Sequence, residues 1–302
     1  MSQHTHHHHE TAGTSGKRFL MATILNAIIT IAELVGGLLS GSLALVSDAI
    51  HNFTDTFSLI LAWIAHVLSG RKIDPRNTFG YRRAQILAAF VNALFLIIIT
   101  IGLIYEAIRG FFQPHEVAAG LMLVIAVIGL IANIATAFML SRGRDDSLNQ
   151  KAAFLHILAD ALSSVGVIVA GICIYFFHWN WLDPLLTLLV ALYMFKEAVP
   201  VLRAAVAILM EGNTQLDVAA IQKDLQAFPV VVNCHHFHAW QIDEQRINLT
   251  FHITMADCML SEAEQVTDAI RLLLKQKYHV DHVTIQVEVE KGEHKAILAD
   301  EK

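Results

Sequence analysis

Residues 42–68 read "SLALVSDAIHNFTDTFSLILAWIAHVL". The run is long enough to cross a bilayer, which takes about 20 mostly apolar residues, yet it contains Asp48, His51 and Asp55. Ionisable side chains at bilayer depth cost at least ~2.5 kcal/mol each on insertion scales, so a chain that keeps them there uses them. A second apolar run, residues 152–166, "AAFLHILADALSSVG", repeats the pattern with His156 and Asp160.

The composition agrees with a membrane protein. Of 302 residues, 55% are hydrophobic and only 16% charged, and the mean hydropathy is positive, outside the usual range of soluble domains. The net charge of −6, with 17 histidines counted as neutral, comes without the basic cluster that tracks a phosphate backbone, so no nucleic-acid partner is expected. Cys173, Cys234 and Cys258 form no CxxC pair and leave an odd thiol. They indicate neither a disulfide framework nor a cysteine-based zinc finger.

Six apolar stretches fall at about 19–39, 44–68, 84–106, 117–140, 153–177 and 183–208, each long enough to span. The first reads as a retained helix rather than a cleaved leader, whose apolar region is usually shorter. Ahead of it, residues 1–16 form a polar, His-rich tail, either a metal-collecting segment or a cloning tag. Arg71, Lys72, Arg76, Arg82 and Arg83 follow the second stretch, and Arg142, Arg144 and Lys151 follow the fourth, whereas the opposite loops hold only Arg109. The positive-inside rule then puts both termini in the cytoplasm of a multi-pass protein of the cell's inner (plasma) membrane.

After Met210 the composition becomes that of a soluble domain, residues 209–290, with a tail at 291–302. Thr214 with Asp217, and Ser261 with Glu264, give N-terminal signals for helices near 215–227 and 261–278. Alternating apolar residues predict strands through "VNCHHFHAWQI", "RINLTFHITM" and "HVTIQVEV". The expected fold is therefore six transmembrane helices (17–208) followed by a cytoplasmic α+β domain of order αββαβ, ferredoxin-like, with its helices on one face of the sheet.

Positions i and i+4 of a helix lie one above the other. His51 and Asp55 therefore share a face, with Asp48 one turn earlier, and His156 and Asp160 make the same offer from another helix. Two HxxxD pairs facing each other supply two imidazole nitrogens and two carboxylate oxygens, the ligand set of a tetrahedral Zn²⁺. A ligating histidine must be neutral and a ligating carboxylate ionised, so metal entry expels protons and proton entry expels metal. A site with that property, exposed alternately to the two sides, exchanges one for the other.

The segments "GSLALVSDAIHNFTD" (41–55), "FGYRRAQILAAFVNA" (79–93) and "AAFLHILADALSSVG" (152–166) resemble the cation diffusion facilitator family, in its bacterial zinc-exporting branch. The resemblance runs from about Lys17 to Glu288. It implies a transporter rather than an enzyme, exporting Zn²⁺ against protons through His51, Asp55, His156 and Asp160, with Cd²⁺ a further candidate substrate. It also implies a homodimer in membrane lipid, joined through a cytoplasmic domain that doubles as a metal-binding and dimerisation module. No cofactor is required; zinc is the substrate and, in the cytoplasmic domain, a structural ion. Two other classes compete: an intramembrane metalloenzyme, which needs more histidines at one membrane face and an open coordination position, and a metal sensor that does not transport, which leaves the intramembrane pairs without a use.

Asp48 suits a proton relay or a partner supporting the ligands. Glu33, Asn92, Asn133 and Ser164 read as hydrogen-bonding groups between packed helices, and Gly36, Gly37, Gly129 and Gly166 as points of close helix approach. Some members of the family carry a further metal site in the loop after the second span. Here that loop reads "KIDPRNTFGYRR" (72–83), with Asp74 retained but Asn77 and Tyr81 where histidines would stand, so that site is expected to be absent. In the cytoplasmic domain "NCHHFHAW" concentrates Cys234, His235, His236 and His238. His252 and Glu288 fall on the non-core side of their strands. His235, His238, His252 and Glu288 are the expected ligands there, with His282 a further contender.

Overall fold

The computed structural model describes residues 11–113, 116–141, 148–213, 215–289 and 295–298, with side chains described from Ile24 onward except at 137, 139–141 and 148–159. The histidine tract, Thr214 and the side chain of His156 lie outside the described residues. Six long helices come first: α1 (Thr11–Ser40), α2 (Leu43–Ser69), α3 (Arg83–Phe112), α4 (Ala119–Ser141), α5 (Leu148–Phe177) and α6 (Leu182–Leu209). They are followed by α7 (Val218–Gln226), β1 (Val231–Gln241), β2 (Ile247–Met255), α8 (Leu260–Tyr278) and β3 (His282–Val289), the expected αββαβ order.

Four of the long helices contain segments long and apolar enough to cross a membrane among the described residues: Arg83–Phe112, Ala119–Thr136, Asp160–Phe177 and Leu182–Leu209. Ile24–Ser40 is a shorter apolar segment. The outward faces are rich in large apolar side chains, among them Ile31, Leu38, Ile98, Ile131 and Phe176. So much exposed apolar surface suits lipid rather than water.

The chain divides into two compact units. The first comprises residues 1–61 and 92–199. Within it α4 packs on both α5 and α1, and Leu45, Met122, Ala126, Val167 and Ile174 form a buried apolar cluster from α2, α4 and α5. Close approach uses glycine: a Cβ added at Gly36 would meet the Ile125 side chain at 2.7 Å. Gly166, by contrast, has only an ordinary contact, 3.8 Å to Leu186, so the close approach expected there is not found.

The start of α2 is fixed by a residue 140 positions away. Asp183, in the first turn of α6 and fully buried, accepts hydrogen bonds from Ser42 Oγ and from the backbone N–H groups of Leu43 (2.7 Å) and Ala44 (3.2 Å). Those N–H groups have no partner within their own helix, and a carboxylate at a helix N-terminus also meets the positive end of its dipole.

The second unit comprises residues 62–91 and 200–302. Its three-stranded sheet has the order β1-β2-β3, with β1 and β2 antiparallel and β2 and β3 parallel. The core is built from Leu249, Phe251 and Ile253 of β2 with Ile221, Leu225, Ile270 and Leu274 of α7 and α8. The α7 cap is Asp217, whose carboxylate accepts from Ala219 N and Ala220 N. The α8 helix starts one residue ahead of Ser261, and its N-cap is Met259 with Glu262 accepting from the Met259 N–H (3.3 Å). Glu262 sits three residues beyond the cap, the spacing a capping box requires, and Glu264 lies too far along to serve.

Candidate metal centres

The first candidate lies within the first unit. On α2, His51 and Asp55 stand one turn apart with His51 Nε2 3.8 Å from Asp55 Oδ2; from α5, Asp160 brings Oδ1 to 3.5 Å from the same nitrogen. One atom from each of the three residues lies within 4.8 Å of the others, close enough to share a cation. They border a cavity of about 570 Å³ whose other lining residues include Thr54, Leu96, Tyr193 and Glu197. His156 is on α5, one turn before Asp160; its side chain lies outside the described residues. A nitrogen and two carboxylates suit Zn²⁺, which accepts mixed N/O tetrahedral sets, and suit poorly the six or more oxygens that Mg²⁺ and Ca²⁺ take.

Asp48 is not among these three ligand candidates. It is buried and held by hydroxyl groups of α5: Ser163 Oγ donates to Oδ1 at 2.9 Å, and Ser164 Oγ lies 3.4 Å from Oδ2. Asn133 Nδ2 reaches Ser164 Oγ from α4 at 3.4 Å. Asn92 accepts from Ser58 at 2.8 Å, and Glu33 accepts from Asn52 Nδ2 at 3.0 Å. These polar residues thus make the interhelical bonds the sequence suggests, and together they link α1, α2, α3, α4 and α5.

The second candidate lies within the second unit and follows from strand register. His235 on β1 is paired directly with His252 on β2, and β3 runs parallel to β2 with Glu288 opposite Thr254. Glu288 thereby reaches both imidazoles, with Oε2 3.3 Å from His235 Nε2 and Oε1 3.0 Å from His252 Nδ1. One ligand atom from each of the three lies within 4.8 Å of the others. Burial holds the His235 imidazole below its usual range, against the pull of Glu288, which keeps it neutral and able to ligate. Burial raises the Glu288 carboxyl, but its hydrogen bond from Gln286 and the nearby His252 and His235 outweigh that and hold it below its usual range.

His238, expected as a fourth ligand, is not in this group. Its Nε2 lies 3.3 Å from Nε2 of His236. His238 pairs with Thr250, a step along β2 from His252; between it and His235 lies a bulge, with His236 in the left-handed region at φ 53 and Phe237 in the core beside Phe251. Nothing in the sequence marks that extra residue. His282 pairs with Asn248 at the far end of β3 and is likewise outside the group. Cys234 is fully buried in the core, and burial pushes its thiol up to about 11, so it has little thiolate with which to ligate.

In the loop after α2, Asp74 is occupied by its neighbours. It accepts from the backbone N–H groups of Arg76 and Asn77, both at 2.8 Å, and from the Tyr81 hydroxyl at 3.0 Å. Asn77 Nδ2 in turn donates to Tyr81 Oη at 2.9 Å. The loop is closed by hydrogen bonds among the very residues that depart from the family pattern.

Comparison with known proteins decides the family. Residues 19–210 match the cation efflux transmembrane domain, and residues 214–290 match the cytoplasmic domain of cation efflux proteins. The chain belongs to the cation efflux family, the cation diffusion facilitators. The family transports metal ions and is not a family of enzymes. A zinc transporter ZitB of Pectobacterium atrosepticum is 41% identical, over 95% of this chain and 89% of its own length. A cadmium, cobalt and zinc/H(+)-K(+) antiporter of Bacillus subtilis is 39% identical over 98% of this chain and 96% of its own. A zinc transporter ZitB of Yersinia pestis is 40% identical over 91% and 88%.

Proposed function

We propose that this cation efflux protein exports Zn²⁺ from the cytoplasm in exchange for protons, with His51, Asp55 and Asp160 as ligands and His156 as the fourth. The observation that carries this reading is the convergence of one imidazole and two carboxylates, from two helices, on one cavity. The names of the relatives, zinc transporters and an antiporter of cadmium, cobalt and zinc, point the same way and make Cd²⁺ a secondary substrate.

Each step of the exchange follows from the ligands. Bound to Zn²⁺, the imidazoles are neutral and the carboxylates ionised; without metal, the same atoms accept protons. Toward a near-neutral cytoplasm the cluster favours metal, and toward an acidic exterior it favours protons. Transport then needs the site to face the two sides in turn.

The reading extends to the organisation of the molecule: six membrane-spanning helices in the inner membrane, both termini cytoplasmic, and a homodimer formed through the cytoplasmic domain. We assign the domains as tail 1–16, membrane domain 17–208, cytoplasmic domain 209–290 and tail 291–302. The match of residues 214–290 to a domain described as the cytoplasmic, dimer-type module supports the dimer. His235, His252 and Glu288 are the proposed structural zinc ligands of that domain.

The test is Zn²⁺ uptake by proteoliposomes under an imposed pH gradient. Uptake by the wild type that collapses with a protonophore, and its loss in Asp160→Ala, is the expected result. Flux indifferent to the proton gradient would overturn antiport.

A further inference from the structure

Glu33 is a buried carboxyl group that the proposed metal site does not use. It lies on α1, 1% exposed, and its described hydrogen bond comes from a neutral group, Asn52 Nδ2 at 3.0 Å. Its other oxygen occupies space that a side chain on α4 would fill. A Cβ added at Gly129 would fall 2.3 Å from Glu33 Oε1, a separation atoms do not tolerate. The fold therefore makes room for this carboxyl group by leaving one position of α4 without a side chain.

An ionised carboxylate in that place, away from water and lacking a described cation, would carry most of its Born cost uncompensated. A protonated carboxyl avoids this. The charged groups around it are those of the transport machinery. The described part of α4, which packs against α1, carries no titratable side chain. Asp48, His51 and Asp55 flank Asn52 on α2, and Asp160 lies on α5; Asp48 and Asp160 are within electrostatic reach of Glu33. In the metal-free protein these carboxylates disfavour a further negative charge. A divalent cation bound at His51, Asp55 and Asp160 reverses that field and favours the ionised form of Glu33.

We propose that Glu33 is a proton-carrying site of the exchange, separate from the metal ligands: it holds a proton while the cluster is empty and releases it when Zn²⁺ binds. The O–H bond of the carboxyl breaks, its electron pair stays on the carboxylate, and the proton leaves to water on the side the site then faces. The inference rests on the antiport reading above and adds one proton to those displaced from the ligands.

The experiment uses the full chain, purified and lipid-reconstituted, with Zn²⁺ as the probe. Protons released per Zn²⁺ bound are counted near neutral pH with a pH dye in weak buffer, and the infrared C=O band of protonated carboxyl groups is followed in parallel. The expected result is that Glu33→Gln binds Zn²⁺ but releases about one proton fewer than the wild type, and lacks a carboxyl band that the wild type loses on adding Zn²⁺. Equal proton counts in the two proteins, or a wild-type band that Zn²⁺ leaves unchanged, would make Glu33 structural and overturn the proposal. Should Glu33→Gln fail to fold, the infrared measurement on the wild type still decides. Failure of the parent reading looks different: the wild type and Asp160→Ala would then bind Zn²⁺ alike and release protons alike.

Discussion

His51 is closer to Asp160, on another helix, than to Asp55 one turn along its own: 3.5 Å against 3.8 Å. The cross-helix contact, not the spacing within either motif, brings the three candidate ligands together. Asp160→Ala should therefore lower Zn²⁺ affinity by more than the ~10–100-fold that changes outside the ligand shell already cause, and abolish transport. The protein should remain folded, since little packing is removed. Isothermal titration with Zn²⁺ and resistance of a zinc-sensitive host measure both; full resistance would remove Asp160 from the site.

Asp183 ties the start of α6 to the start of α2 by satisfying two backbone N–H groups and one hydroxyl. Asp183→Ala would leave those donors buried and unpaired, at a cost of about 1–3 kcal/mol each where no water replaces the carboxylate. The melting temperature in detergent should drop by several degrees. Asp183→Asn, which keeps an acceptor oxygen but loses the charge, should fall between the two.

Asp224 on α7 joins α8 by accepting from Lys277 Nζ and Tyr278 Oη. The Lys277 bond, then the Tyr278 bond, hold the Asp224 carboxyl below its ordinary value of 3.8. A depressed carboxyl contributes stability that is present above the unfolded value and is lost as pH falls through the folded one. Asp224→Asn should thus destabilise the protein at pH 5–7, with its difference from the wild type shrinking as pH is lowered below about 3.8. The pair is exposed, so the effect should be small and should weaken with salt. Denaturant titrations across that range provide the check, and a difference that grows toward acid would contradict the assignment.

Much of this was legible because it is local. The i,i+4 spacing of His51 with Asp55 needs only helical geometry, and alternation in "INLTFHITM" gives β2 and its core face directly. Relationships that close over long separations leave no such mark. Nothing in "WLDPLL" says that Asp183 caps α2, and Gly129 looks like any packing glycine until Glu33 is found against it. The bulge at His236 adds a residue that alternation does not anticipate, and spacing alone does not choose among the histidines of β1. His235, His252 and Glu288 come together because their strands pair in the register that alternation implies.

Selectivity should respond to the atom at position 51. Zn²⁺ imposes no d-electron geometry and fits a four-coordinate mix of nitrogen and oxygen, whereas a carboxylate can bind through two oxygens and raise the coordination number. His51→Asp replaces a single nitrogen with such a group beside Asp55 and Asp160, giving an oxygen-rich site of higher coordination. The larger Cd²⁺ accepts that expansion better than Zn²⁺ does, provided α2 and α5 can part slightly. The variant should carry Cd²⁺ more readily relative to Zn²⁺, and its proton coupling should shift toward lower pH, because a carboxylate, intrinsically the stronger acid, replaces an imidazole as a titrating group. Competition between the two metals in proteoliposomes under one fixed pH gradient measures the ratio. A ratio identical to that of the wild type would locate selectivity in the packing of α2 against α5 rather than in the ligand.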